Sequence, residues 1–283
     1  MTSANAFKTL LLLGLLTALL VIGGQAIAGR NGLYIGLMMA VVMNFASYFF
    51  SEKIALSMYK AQRVSPSEHP QLHRRLGPMM QRLCQRMGIP EPKLWVIPEH
   101  SPNAFATGRN PRHSSVAFTA GLLELMDDNE VEAVFAHELA HIKHRDILTS
   151  SIAATIGAAI TNLAYFAMFF GGRRDDDEGG NPMAAMMMFM LGPIAAMLIQ
   201  MAVSRTREYA ADEAAAKATG TPHGMISALR RLESYSRRIP MEASPATAHM
   251  FIIKPFGGGG ALSKLFSTHP ATEDRIARLM ALR

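Results

Sequence analysis

Two imidazoles and a carboxylate stand in this chain in the order that a hydrolytic metal site requires. His137-Glu138-Leu139-Ala140-His141 sets two histidines four residues apart. On a helix that spacing puts both rings on one face, where they can converge on a single Zn²⁺. Glu138 follows the first histidine by one residue, so it is rotated to the side of such an ion and can take a proton from water there. The flanks favour a helix. Asp127-x-x-Glu130 has the form of a capping box, and Val131, Val134, Phe135 and Leu139 then recur at helical spacing. The alternative, a polar helix that carries two histidines by coincidence, fits these flanks poorly.

A catalytic zinc usually keeps three protein ligands and leaves its fourth position open. The pattern H-E-x-x-H-x-x-G-x-x-H is one solution, but here His144 stands at its glycine and Ile147 at its last histidine. The other solution is a carboxylate from a second helix. Arg205-Thr206-Arg207-Glu208-Tyr209-Ala210-Ala211-Asp212 offers Glu208 and Asp212 at i, i+4 in alanine-rich sequence. Glu208 can bind the ion while Asp212 accepts the N–H of a ligating histidine and fixes its tautomer. Glu213 and Glu233 are weaker candidates. A surface helix laced with i, i+4 charge pairs stays open as the plainer reading of this stretch. The acidic run 175–178 reads as solvated loop.

The composition agrees with a membrane protein. Hydrophobic residues make up 49% of the chain and charged ones only 18%, which is unusual for a soluble domain. Four apolar stretches, near 9–28, 33–50, 152–170 and 183–203, each have about the length of a membrane-crossing helix. The first, with Lys8 before it and Ala26-Ile27-Ala28 at its end, has the outline of a cleavable signal sequence. The second begins only a few residues later, and that favours a hairpin of two retained spans. Lys53, Lys60, Arg63, Arg74 and Arg75 follow the second stretch, Lys143 and Arg145 precede the third, and Arg205 and Arg207 follow the fourth. That basic excess places the central part and the C-terminus in the cytoplasm. The lone Cys84 excludes an intramolecular disulfide and suits a reducing compartment. The net charge of +6 is modest and lies near membrane edges, so it reads as topology and lipid contact. No nucleic-acid-binding module accompanies it.

Between the apolar stretches the pattern is α+β. A helix runs through 72–87, and short strands follow at 93–97, 104–107 and 114–119, the last two around the turn-rich Gly108-Arg109-Asn110-Pro111. The metal helix comes next. After 219 the sequence predicts a helix opened by Thr221-Pro222, a glycine tract at 257–260, and a last helix over 273–282 capped by Thr272. Asn103-Ala104-Phe105-Ala106 has the character of an edge strand that could hold an extended peptide by backbone hydrogen bonds, or simply of an ordinary strand.

These motifs together resemble the M48 family of membrane zinc metalloproteases, and its bacterial heat-shock branch in particular. The resemblance rests on H-E-L-A-H at 137–141, S-R-T-R-E-Y-A-A-D at 204–212, P-N-A-F-A at 102–106 and S-T-H-P at 267–270, and it covers nearly the whole chain. It implies Glu208 as the third ligand beside His137 and His141, with one Zn²⁺ per subunit. It also lifts His269 to a candidate oxyanion donor, although a histidine before proline is often structural. Arg275 is a candidate for orienting a carboxylate in the site, and Asp146 for supporting the end of the metal helix.

The expectation is a mainly α chain with a small β-sheet, a membrane-anchored metalloprotease with about four transmembrane helices. Its organisation would be a two-helix hairpin at 1–50, a cytoplasmic core at 51–150, a second apolar hairpin at 151–203, and a part carrying the third ligand at 204–283. It would sit in a bacterial inner membrane as a multi-pass protein with its active site facing the cytoplasm. There it would cut unfolded or misfolded membrane and cytoplasmic proteins, with self-cleavage at its exposed segments. Two alternatives share the motifs. One is a specialised processing peptidase acting on prenylated proteins. The other is a zinc-binding membrane protein without catalysis, though a transporter would carry ionisable ligands inside its spans.

Overall fold

The computed structural model describes residues 3–153, 156, 205–238 and 270–282. The chain is mostly helical and carries one small mixed sheet. Helix α1 covers Ser3–Met58, but Gly29 takes a left-handed φ of +58° within it. Only glycine adopts that conformation without steric cost. The two halves fold back on each other: Asn44 Nδ2 donates to the Leu13 carbonyl at 3.3 Å and to Thr17 Oγ1 at 2.9 Å. Gly36 is the point of closest approach, where a Cβ would overlap the Leu20 carbonyl.

Among the described residues, one helical segment, Gly29–Met58, is long and apolar enough to cross a membrane. It contains the second of the four apolar stretches; the first corresponds to the shorter apolar helix Phe7–Ile22. The third is described only at 152, 153 and 156, and the fourth lies outside the described residues. Tyr34, Met38, Val41 and Phe45 are all more than half exposed on α1. A contiguous apolar surface of this kind calls for a lipid or protein covering.

The sheet has the order β1-β2-β4-β3, with β1 at Gln62–Arg63, β2 at Lys93–Ile97, β3 at Ala104–Asn110 and β4 at His113–Thr119. Strands β2 and β4 run parallel, Trp95 opposite Ala117, and the other pairs are antiparallel. Strand β3 continues through Gly108 to Asn110, where the sequence suggested a turn. The ladder reaches Asn110 opposite His113 because the Asn110 side-chain oxygen accepts the N–H groups of Arg112 and His113, both at 3.0 Å. This side-chain-made turn needs fewer residues than the composition implied.

Helix α2 (Pro70–Met87) and the short α3 (Ala120–Leu125) flank the sheet and lead into α4 (Asp128–His144). The capping box of α4 is formed. Asp127 Oδ1 accepts from the Asn129 and Glu130 N–H groups, and Glu130 Oε2 accepts from the Asp127 N–H at 3.1 Å. Helix α4 is the centre of the molecule, touching β3, β4, α2, α5 (Arg205–Thr219) and α6 (His223–Arg238). Its apolar side enters one core with Leu76, Leu83, Phe118, Leu229 and Leu279, where Phe135 meets Phe118 edge to face at 5.1 Å. Last comes α7 (Thr272–Met280), where Ala271 takes the cap position and makes no side-chain bond. Thr272 is thus the first helical residue; its hydroxyl does not cap.

Candidate metal centre

Helix α4 places His137 and His141 on one face, one turn apart, and α5 brings Glu208 across to them. The His137 and His141 Nε2 atoms are 3.2 Å apart. Glu208 approaches both rings, with Oε2 3.7 Å from His137 Nε2 and Oε1 3.5 Å from His141 Nε2. Four tetrahedral ligands at zinc's usual bond lengths lie ~3.4 Å from one another. The two nitrogens and the Glu208 carboxylate already stand near that spacing, so the donor set fits a Zn²⁺ ion. Among the described residues, no other group of His, Cys, Asp or Glu has this convergence.

Each imidazole turns its other nitrogen to a carboxylate, and each carboxylate meets an arginine. His137 Nδ1 is 3.0 Å from Asp212 Oδ1, and Arg275 grips Asp212 with a fork: Nη2 to Oδ1 at 2.6 Å and Nε to Oδ2 at 2.7 Å. Arg275 Nη1 also lies 3.8 Å from Glu208 Oε2. On the other side, His141 Nδ1 is 3.3 Å from Asp146 Oδ2, and Arg207 Nη1 reaches Asp146 Oδ1 at 3.2 Å. These partners aim both Nε2 atoms at the same point. Of the residues behind the ligands, the sequence singled out Asp212, with Arg275 and Asp146 as lesser candidates, and it missed Arg207. That residue adjoins Glu208, but its partner is 61 positions away and no local pattern announces the pair.

The electrostatics set the two rings apart. Burial works to lower the His141 pKa, but the bond to Asp146 and the charges of Glu208 and Glu138 outweigh it and raise the ring to about 9. In His137 burial prevails over Asp212 and the pKa falls. Burial would push the Asp212 carboxyl up, yet the Arg275 guanidinium more than offsets it and holds the group ionised. Glu138 is different. Its carboxyl is 5% exposed, and burial first, with the nearby Glu208 charge adding to it, lifts the pKa to about 7 despite His141 and a backbone bond from Ala106. A base for work at neutral pH needs a pKa in that range.

The Ala106 contact ties Glu138 to β3, which forms an edge of the described sheet. Asn103, Ala104, Phe105 and Ala106 are all buried there. The Asn103 carbonyl accepts the Thr119 N–H at 2.9 Å, which closes the strand pair beside the site. Ala104 and Ala106 face the α4 core, while Phe105 turns to α1 and packs on Ala55, Leu56 and Tyr59. Helix α4, the edge strand and α1 are therefore joined in one packed unit.

The remaining sequence candidates separate cleanly. Glu213 is exposed and pairs with Lys217 at 2.5 Å, one step round from Glu208 and pointing away. Glu233 lies on α6 outside the cluster. His269 and the run 175–178 lie outside the described residues. Cys84 sits in the α2 core, where burial pushes its thiol up to about 12, so it is no nucleophile.

Residues 66–283 match Peptidase family M48. The chain is 49% identical over 281 residues to the protease HtpX homolog of Ralstonia pickettii (strain 12J), covering 98% of this chain and 96% of that protein. It is 51% identical over 284 residues to the protease HtpX homolog of Desulfatibacillum aliphaticivorans, covering 99% and 90% respectively. In fold it is similar to S. mikatae Ste24p, with a TM-score of 0.51 at 19% identity, over 99% of this chain and 66% of that longer one.

Proposed function

This chain belongs to peptidase family M48 and is a membrane metalloprotease, and on that premise we propose that it is a zinc endopeptidase of protein quality control. One observation carries the zinc reading: the two imidazole Nε2 atoms stand 3.2 Å apart, each ring is within 3.5–3.7 Å of one oxygen of the Glu208 carboxylate, and each Nδ1 faces a carboxylate within 3.0–3.3 Å. His137, His141 and Glu208 would hold one ion, with Asp212 and Asp146 orienting the two rings. When bound, zinc supplies a Lewis acid that polarises the scissile carbonyl and acidifies a water.

The chain's own residues do the rest. Glu138 accepts the proton of the attacking water and passes it to the leaving amine. Strand β3 holds the substrate extended through residues Asn103 to Ala106, so that its carbonyl faces the centre. Recognition by backbone bonds tolerates many side chains, as unfolded and misfolded substrates demand. His269 is proposed as an oxyanion donor on the strength of its S-T-H-P context. A zinc protein without catalysis would have no use for a buried, proton-sharing Glu138 between its metal ligands and an edge strand.

The proposed topology is multi-pass in a bacterial inner membrane, with the site facing the cytoplasm and the domain limits set out above. Both ends of α1 meet the catalytic part: Thr9 Oγ1 lies 3.3 Å from Thr149 Oγ1, and Tyr59 packs 5.3 Å from Phe105. A hairpin with both ends on one side needs an even number of crossings. The site then sits at the membrane surface and serves loops and unfolded segments, its own glycine tract among them. Incubating the purified protein with an unfolded polypeptide tests the activity. Hydrolysis should stop on chelation and return with zinc; cleavage indifferent to the chelator would refute it.

A further inference from the structure

The β3–β4 hairpin carries Arg109 near the end of β3, Arg112 in the turn and His113 at the start of β4, and none of them serves the metal centre. It lies against α1 where that helix changes character. Phe45, Phe49 and Phe50 are 56%, 46% and 43% exposed there, and the next residues are Ser51, Glu52 and Lys53. The Arg109 guanidinium lies over the Phe49 ring at 5.3 Å, and Lys53 Nζ over the Phe50 ring at 5.8 Å. Tyr48 joins the same aromatic group through Phe49. Arg112 and His113 are exposed at the tip.

The hairpin that presents these cations is held firmly from behind. Thr107 and Ser151 share a hydroxyl bond of 2.8 Å, and the Gly108 N–H donates to the same Ser151 oxygen at 3.4 Å. Residues 104–119 contain no Asp or Glu, so nothing within the hairpin neutralises the arginines. Exposed aromatic rings beside Lys and Arg, at the end of an apolar helix, are the composition that a bilayer interface selects. An anionic leaflet attracts each such basic side chain by roughly fivefold in affinity, equivalent to about 1 kcal/mol.

We propose that the β3–β4 turn docks on the anionic phospholipid headgroups of the leaflet beside the metal centre, and so feeds the site with polypeptide just emerging from that leaflet. The inference rests on the protease reading above and deepens it by naming the substrate class. Strand β3 runs from this turn directly to Ala106, whose backbone touches Glu138. Three residues of extended strand cover ~10 Å. A substrate leaving the bilayer beside Arg109 therefore reaches the base within a few residues of the membrane. Preferred cleavage falls in that juxtamembrane segment.

The test uses the full-length protein in lipid nanodiscs. In the first arm a fluorophore on His113→Cys is read in a Glu138→Gln background, which cannot cleave itself. A nitroxide on anionic headgroups should quench it several-fold more than the same nitroxide on zwitterionic headgroups, and Arg109→Glu/Arg112→Glu should abolish the difference. In the second arm, with Glu138 intact, anionic lipid should raise cleavage of a membrane-tethered unfolded segment at least ~5-fold over neutral lipid. The charge-reversed protein should lose that gain while cutting a soluble unfolded peptide at the parental rate. Equal quenching by the two lipids, or a lipid dependence that survives charge reversal, overturns the proposal. The quenching arm needs no catalysis, so it fails or stands independently of the protease reading.

Discussion

The two histidines of the centre are held by the same kind of chain, imidazole to carboxylate to arginine, yet the two chains differ in where they lie. The His137–Asp212–Arg275 side is sealed, with side chains 2%, 3% and 1% exposed. The His141–Asp146–Arg207 side is reached by water only at its two ends, with His141 17% and Arg207 15% exposed while Asp146 between them is 5% exposed. A buried pair that loses one partner leaves an uncompensated charge, whereas a wetted pair lets solvent take over. The sealed side should therefore carry the folding stability, and the open side should adjust the site at lower cost. Their anchors differ too: Arg275 comes from the last helix, and Arg207 from the first turn after an apolar stretch.

The sharpest way to break this comparison is to remove each arginine. Arg275→Met should destabilise the fold by about 3–5 kcal/mol, since Asp212 then stays buried with its charge unmatched. Arg207→Met should cost clearly less than Arg275→Met, because water reaches the Arg207 end and the His141 ring still faces Asp146. Thermal unfolding of both proteins in detergent measures the difference, and equal losses would erase the distinction. Arg275→Lys should recover only part of the stability, because an ammonium cannot form the two-pronged contact.

Metal retention sharpens the same point at a smaller scale. Asp212→Asn and Asp146→Asn should each weaken zinc binding by ~10–100-fold, the usual range for groups that orient a ligand, with Asp212→Asn at the upper end. Competition against a chelator of graded strength would rank them. Glu213→Ala, on the same helix but paired outward to Lys217, should leave zinc affinity unchanged.

Cys84 provides a still gentler probe. Its thiol, lifted from 9.0 to about 12, holds on the order of 10³-fold less thiolate than a free cysteine at neutral pH. The sign follows from the raised value. Burial of the neutral thiol contributes stability below pH ~8.5, and that contribution is lost progressively as pH rises toward 12. Alkylation at pH 8 should be very slow in the native protein and in Arg207→Met. It should quicken in Arg275→Met, where the core opens more often. Equal rates in the two variants would mean that the sealed side does not govern the core.

What the sequence made legible was local. The capping box of Asp127 and Glu130, and the one-turn spacing of His137 and His141, depend on neighbours along one helix. Glu208 was reachable because Asp212 sits four residues on, and family resemblance separated it from Glu213. Arg207 and Arg275 depend on partners 61 and 63 positions away; Arg275 was a lesser candidate without a named partner, and Arg207 was missed. The strand limits failed for a related reason. Asn110 folds its side chain back onto the turn and lets β3 run on past Gly108, a choice made by cross-strand pairing with His113 and Ser114. Two closely spaced apolar stretches lead to the expectation of a hairpin, and the Gly29 break and the Gly36 contact appear only in three dimensions.

Glu138→Gln tests the central claim most directly. The change is nearly isosteric and leaves His137, His141 and Glu208 in place, so one zinc per chain should remain bound. The amide cannot accept the water's proton, so peptide hydrolysis should fall by at least ~10²-fold, the scale of general-base catalysis. Self-cleavage during membrane extraction should cease in the same protein. Hydrolysis at the parental rate, with zinc confirmed in the site, would contradict the account.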